Sequence, residues 1–414
     1  MRASKAHSTI HTLLFWGVLV MVFLLGGSLQ IFGLITNTVL TVSIILLIMV
    51  TIIISSIYNG KLRYAKWYLW ATASAAILIV SASYAQKDLL YSVASVLNVL
   101  TPWAILIFVL ITIRKLDSRQ IFRYFLFISA LQLPVIFLQR ISYEHISQIA
   151  TQRVEYIDIG FGTFFLKADH SLGFFLLCMV VYVLFSPSSK MSGIERCSWL
   201  VLWTLTIFSI NSKISHLLFL VVISFFLFSK LIGISGVKYL MLFLAVVIIT
   251  ILPLQFQIMD PLHQLDLQYS SLKDHDTIPR WGPLIIFLYE PVSWIGNGPF
   301  SYYDPISKQW GLMGGHSQWY SLYYDYGLLG FLVLGSLVVF TAISAHHRSK
   351  GEPVFIYCAL VIAYGLVTQF LNDLAILLAY FLFLFINWGQ KAKMRETNNQ
   401  LFRIRYSAPS LTGY

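Results

Sequence analysis

Residues 35–57 read ITNTVLTVSIILLIMVTIIISSI and contain no charged side chain. A run of roughly 20 apolar residues is long enough for an α-helix to cross the hydrocarbon core of a bilayer. Comparable runs recur along the whole chain. Of its 414 residues, 58% are hydrophobic and only 11% are charged, against about 25% charged in an ordinary globular domain. The expected fold is therefore all-α: a polytopic membrane protein forming a single transmembrane domain over 1–414. The apolar blocks predict about twelve transmembrane helices, near 11–29, 35–57, 67–85, 89–113, 121–139, 171–186, 198–210, 214–230, 237–258, 318–345, 354–371 and 374–389. The first block runs on to about residue 35 with no small-residue cleavage site, so no cleaved signal peptide is expected. Cys178, Cys197 and Cys358 lie far apart, without metal-ligand spacing or a disulfide framework.

The net charge of +11 would suggest nucleic acid in a soluble protein. Here it has a topological reading. Placing both termini in the cytoplasm assigns 20 of the 28 Lys and Arg residues to the inner connections, as the positive-inside rule requires. Of the 17 acidic residues, only Asp117, Glu195, Glu352 and Glu396 fall inside. The basic tail at 390–414 is expected to be cytoplasmic, and the surplus charge to attract anionic lipid. No nucleic-acid partner is expected. The inner connections carry no glycine-rich nucleotide loop, which argues against ATP or a nucleotide-sugar.

Two outer connections are long. One, about 140–170, holds Arg140, Arg153, Asp169 and His170. The other is the large outer loop at 259–317, expected to carry short interfacial helices and much of the site. Together with the start of the next span it reads, from Arg280 to Gly330, RWGPLIIFLYEPVSWIGNGPFSYYDPISKQWGLMGGHSQWYSLYYDYGLLG. A polar, ring-rich excursion of this length in an apolar chain usually carries function. Trp281, Leu284, Ile285, Leu288 and Tyr289 share one helical face, predicting a short amphipathic helix at the interface. Residues 296–299, Gly-Asn-Gly-Pro, predict a turn. Gly327 and Gly330 are expected to permit close packing of the tenth span.

Several side chains here suit chemistry, each with a plainer alternative. Arg280 can grip a phosphate through its two-pronged fork, or it can be an arginine snorkelling to the surface. Lys213 sits in the three-residue gap Asn211-Ser212-Lys213 between two apolar spans. A charge so close to hydrocarbon is either functional or a membrane anchor. His316 has the basicity to take a proton from a hydroxyl near neutral pH; the alternative is a hydrogen-bonded interfacial histidine. His170 beside Asp169, and the run Asp274-His275-Asp276, compete with it. Asn297, Ser317 and Trp319 are candidate substrate contacts, although aromatic rings at this depth also form interface belts. No metal or other cofactor is expected.

Taken together, these residues carry a resemblance. His316-Ser317, then nine residues, Gly327, two residues and Gly330, resembles the histidine motif of the O-antigen ligase and polysaccharide polymerase superfamily. Arg280-Trp281, Pro291 and Gly296-Asn297-Gly298 with Phe300 resemble that family's arginine helix and glycine turn. Asn211-Ser212-Lys213 resembles its serine–cation element. The chain departs from the pattern at Asp325, where Glu is common, and at Lys213, where Arg is frequent. The resemblance implies a glycosyltransferase of the bacterial inner membrane with its site facing the periplasm. It implies a donor glycan on undecaprenyl diphosphate, His316 as catalytic base, and Arg280 with Lys213 at the diphosphate. The acceptor would be another lipid-linked repeat in a polymerase, working with a chain-length regulator, or lipid A-core in an O-antigen ligase. A reading from a different class, a lipid-linked-glycan transporter or flippase, predicts weak internal repeats and polar or broken helices at the midplane.

Overall fold

Helices occupy eleven of the twelve expected spans, and the span at 237–258 lies outside the described residues. The computed structural model describes residues 2–34, 37–59, 65–84, 89–113, 116–150, 156, 159–165, 168–187, 189, 191–232, 293–298, 303–304, 309–310, 317–348, 353–371 and 373–388. Most of the loop at 259–317, including the expected helix from Arg280, and the tail at 390–414 therefore fall outside them.

The elements run in order as α1 (Arg2–Val20), a π-helical turn (Met21–Leu25), α2 (Gly26–Ile31), α3 (Asn37–Asn59), α4 (Ala65–Tyr84), α5 (Leu89–Thr112), α6 (Ser118–Ile141), α7 (Tyr143–Ile149), α8 (Asp169–Phe185), α9 (Gly193–Ser209) and α10 (Lys213–Ile232). After the 293–298 turn and a two-residue antiparallel ladder, Tyr303 opposite Trp310 and Asp304 opposite Gln309, come α11 (Gln318–Arg348), α12 (Val354–Gly365) and α13 (Leu374–Phe385). Caps set several starts. The Asp117 carboxylate accepts from the Arg119 N–H at 3.0 Å ahead of α6. The Ser192 hydroxyl accepts from the Glu195 N–H at 3.2 Å ahead of α9. Each satisfies an N–H that the first helical turn cannot.

Helix α8 is apolar all round, and every residue from Ser171 to Leu184 is buried. It packs against α9, α10, α12 and α13. Every residue of α13 is buried as well. Around these two lie helices that remain apolar on their outward faces: Leu46 and Ile53 on α3, Phe127 and Phe137 on α6, Leu332 and Phe340 on α11 are all exposed. Apolar surface on both the inside and the outside of a bundle belongs to a protein solvated by lipid. Four helical stretches are long and apolar enough to cross a membrane: Thr9–Ile31, Val39–Ser56, Ser118–Ile141 and Gln318–Arg348.

The two ends of the bundle differ. At one, the Arg348 guanidinium lies 4.5 Å from the Trp388 ring, and Trp70 meets Phe340 at 5.5 Å. At the other, the starts of α8, α10, α11 and α13 gather with the ends of α6, α9 and α12. The segment 159–165 folds into this second end rather than arching over it. Ile159, Phe161 and Phe164 are almost fully buried. Two glutamines seven residues apart on one face of α6 hold its backbone. Gln132 accepts from the Thr163 N–H at 3.0 Å, while Gln139 accepts from the Gly162 N–H at 3.1 Å and donates to its carbonyl at 2.6 Å. The Thr163 hydroxyl donates to the Phe23 carbonyl at 2.6 Å, inside the π-turn, where the usual helical ladder is interrupted. Irregular backbone at the end of a membrane bundle needs this full set of partners.

Candidate functional site

The second end of the bundle holds a chain of hydrogen bonds leading from a half-buried histidine into the core. His170 Nδ1 lies 2.8 Å from the Ser212 hydroxyl. Ser212 lies 2.6 Å from Ser215 Oγ, and Ser215 Oγ lies 2.7 Å from the Tyr364 hydroxyl. Ser212, Ser215 and Tyr364 are each 0% exposed. The chain thus joins the first turns of α8 and α10 to the last turn of α12. Gly173 makes it possible: a Cβ there would stand 2.0 Å from Ser215 Oγ, so any side chain would wedge α8 away from α10. Small residues permit this kind of close approach between helices in a membrane.

A second polar group lies beside the first. Asp373 caps α13, its Oδ1 accepting from the N–H groups of Ala375 and Ile376, both at 2.9 Å. Its other oxygen accepts a hydrogen bond from the Ser171 hydroxyl. Burial pushes the Asp373 carboxyl above the usual carboxylate range, against the hydrogen bonds from Ser171, Ile376 and Ala375. A carboxyl whose folded pKa is raised binds its proton more tightly folded than unfolded. Its contribution to stability is therefore greatest at acid pH and declines as pH rises through its folded pKa. The cap itself acts at any pH. Asp373→Ala is expected to cost about 1 kcal/mol through the lost cap alone. Asp373→Asn keeps an oxygen cap without the buried charge, and is expected to unfold at or above the wild-type temperature at neutral pH. Thermal unfolding of the detergent-solubilised protein at two pH values checks both.

The start of α11 is moored to the end of α12 and the segment after it. Ser317 is 1% exposed. Its hydroxyl donates to the Gly365 carbonyl at 3.3 Å and accepts from the Tyr320 N–H at 3.4 Å, a helix cap. The Gln318 side-chain oxygen accepts from the Leu371 N–H at 2.9 Å. The half-buried Trp319 donates its indole N–H to the Ile362 carbonyl at 2.8 Å and meets Phe370 with ring centroids 5.3 Å apart. Tyr364 and Gly365 are adjacent, so the His170 chain and the start of α11 share one anchor.

Further along α11 the helical ladder opens. Gly327 adopts φ 66°, ψ −167°, a region essentially reserved for glycine. In a regular helix the N–H groups of Leu328 and Leu329 would bond to the carbonyls of Tyr324 and Asp325. Instead they donate to the carbonyls of Ser293 at 2.8 Å and Trp294 at 3.2 Å, while the N–H groups of Asn297 and Gly298 take the Tyr324 and Asp325 carbonyls, both at 2.9 Å. The 293–298 turn is therefore inserted into the helix, with the freed ladder positions refilled from outside. The Ser293 N–H also donates to the Tyr323 hydroxyl at 3.0 Å. The sequence suggested that Gly327 serves close packing of the tenth span. The structure shows a helix break that admits the glycine turn.

Of the residues singled out from the sequence, Lys213 is exposed on the first turn of α10, next to Ser212. Asn297 is exposed, and its side-chain N–H donates to the Tyr324 carbonyl at 3.3 Å. Ser317 and Trp319 hold the mooring just described. Arg140 donates to the Ser209 carbonyl at the end of α9. His170 heads the buried chain. Arg280, His316 and Arg153 lie outside the described residues. Reading by motif passed over Ser171, Ser215, Tyr364 and Asp373, which sit inside or beside apolar runs. Their signal was a polar group embedded in hydrophobic sequence, which in a membrane bundle marks an interior contact. Comparison of the chain with models of known protein families finds no match, and comparison with curated proteins finds none.

Proposed function

We propose that this chain is a membrane glycosyltransferase that takes a glycan from a polyprenyl diphosphate carrier and transfers it to an acceptor hydroxyl. In this reading about twelve spans cross the bacterial inner membrane, both termini are cytoplasmic, and the His170 end faces the periplasm. The product is an extended surface polysaccharide, built from lipid-linked repeats.

The observation that supports the reading is the convergence of its motif segments. The 211–213 turn and the 317–319 helix start lie far apart in sequence, yet both attach to the Tyr364–Gly365 corner. The 293–298 turn is locked into α11 a few turns further on. Lys213 adds a physical argument. A cation on the first turn of a helix faces the positive end of the helix dipole, so helix stability does not explain it. An anionic ligand at this position would be attracted by both.

In the proposed reaction the acceptor oxygen attacks the anomeric carbon as the bond from that carbon to the diphosphate oxygen breaks. The acceptor proton passes to His316, and the leaving diphosphate departs with the bonding electron pair. Arg280 and Lys213 neutralise the charge that develops on it. Cations aimed at charge formed in the transition state give the larger share of such catalysis. Lys213→Ala and Arg280→Ala are each expected to lower kcat/KM for the lipid-linked donor by about 10²-fold, as removal of one charge-stabilising donor does. Lys213→Arg is expected to retain most activity. Steady-state kinetics with a synthetic polyprenyl diphosphate oligosaccharide in mixed micelles provide the check. Unchanged kinetics in both alanine variants would remove the two cations from the site.

A further inference from the structure

The chain from His170 to Tyr364 can be counted hydrogen by hydrogen. It contains three hydroxyls and one imidazole nitrogen, joined by contacts of 2.8, 2.6 and 2.7 Å. Each hydroxyl has one hydrogen to give. With Nδ1 unprotonated, three hydrogens serve three contacts: Tyr364 donates to Ser215, Ser215 to Ser212, and Ser212 to His170 Nδ1. Every hydrogen then has an acceptor. With a proton on Nδ1, four hydrogens serve the same three contacts. One of the three hydroxyls then has no contact left for its own hydrogen, whichever way the donors run. Among the described residues the hydroxyls of Ser212, Ser215 and Tyr364 bond to His170 and to one another, and each residue is 0% exposed. A buried hydroxyl hydrogen without an acceptor is costly. The buried hydroxyls therefore dictate what the outer end of the chain can be.

We propose that His170 is a positioning residue of the site, held by the Ser212–Ser215–Tyr364 chain as a neutral imidazole with its proton on Nε2, and that this acceptor at Nδ1 fixes the turn carrying Lys213.

The neighbouring groups bear on this. The Asp169 carboxylate lies 3.8 Å from His170 Nδ1 and favours a proton there, but that distance is too long for a hydrogen bond. The Ser212 hydroxyl at 2.8 Å has the geometry to set the tautomer. Lys213 opens α10 on the same turn and opposes a second positive charge nearby. Asp373 acts from α13, its carboxylate engaged by Ser171 and the helix cap. Ser212 is committed on its backbone too, its carbonyl accepting from the His216 N–H at 3.1 Å. His216 in turn faces the carbonyls of Ile207 and Ile210, at 2.9 and 3.0 Å. His170 thus ties its own helix to a short turn whose other contacts are already fixed, and Lys213 is the next residue along.

The protonation claim stands apart from the proposed reaction, whereas the role toward Lys213 rests on it. The first test is therefore spectroscopic. Nitrogen-15 resonances of histidine-labelled full-length protein in lipid, with His170 assigned by its loss in His170→Asn, are expected to show an unprotonated Nδ1 and a protonated Nε2 at neutral pH. A protonated Nδ1, in either the other tautomer or the imidazolium, overturns the proposal. Ser212→Ala removes the hydroxyl that donates to Nδ1, and is expected to add a population with Nδ1 protonated; an unchanged spectrum refutes control by the chain. The second test uses donor kinetics on variants that elute and unfold like wild type. His170→Ala and Ser212→Ala should lower kcat/KM for the lipid-linked donor roughly tenfold, the equivalent of one hydrogen bond, with the loss falling mainly on kcat because Lys213 acts on charge that develops in the transition state. His170→Asn, whose amide can occupy the Nδ1 position, should recover most of the loss. His170→Gln, whose amide reaches toward the Nε2 position, should not. Equal recovery by both, or by neither, contradicts positioning through Nδ1. If no variant or wild type turns over donor, the proposed reaction fails while the nitrogen-15 result still decides the tautomer.

Discussion

His316→Ala is expected to lower the rate of polyprenyl diphosphate release by about 10²–10⁴-fold, the range that a positioned general base contributes. The expectation comes from the sequence motif and from the setting of the neighbouring residue. Ser317 caps α11 and is tied to Gly365, the neighbour of Tyr364 at which the His170 chain ends. The loss should fall on kcat with little change in KM, because a base acts on the transition state and not on donor binding. Single-turnover kinetics with donor bound in advance separate the two. A variant with the wild-type single-turnover rate would exclude His316 as the base.

Gly327→Ala is expected to be the most damaging small substitution in α11. Its φ of 66° strains any other residue, at a cost of about 1–3 kcal/mol. The added Cβ would also stand 2.4 Å from the Trp294 carbonyl carbon and 2.5 Å from the Ile295 nitrogen. Those atoms are backbone and cannot swing aside. The expected outcome is release of the 293–298 turn, with Leu328 and Leu329 returning to ordinary helical bonds. Gly296→Ala should mimic it, since a Cβ there meets the Gly327 nitrogen at 2.4 Å. Hydrogen exchange at 293–298 and 324–329 reports the change directly: the turn should lose protection while the α11 amides keep theirs. Wild-type protection of the turn in both variants would contradict the insertion.

The helical class was plain in the sequence because apolar runs longer than a bilayer crossing have few alternatives. The limits of α8, α10 and α13 were also legible, since Asp169, Lys213 and Asp373 interrupt apolar blocks. Other features were hidden for physical reasons. The segment 159–165 falls within the expected outer connection at 140–170, but Gln132 and Gln139, on a different helix, bring it into the bundle. Gly327 looked like a packing glycine because its spacing to Gly330 fits a helix face. Its role depends on a turn some thirty residues upstream. Ser215 and Tyr364 sit in apolar helices, where a lone hydroxyl gives no hint of its partner. The contact of Gly173 with Ser215 that brings the chain together is a matter of interhelical distance, which local sequence does not encode.

The most direct measurement follows the fate of the carrier lipid. Purified wild-type protein in vesicles, given a polyprenyl diphosphate oligosaccharide labelled in both lipid and glycan together with an acceptor lipid-linked repeat, should release polyprenyl diphosphate in step with glycan extension, one carrier for each unit transferred. Passage of the intact donor from one leaflet to the other, with lipid and glycan labels still joined, would contradict the account and identify a transporter.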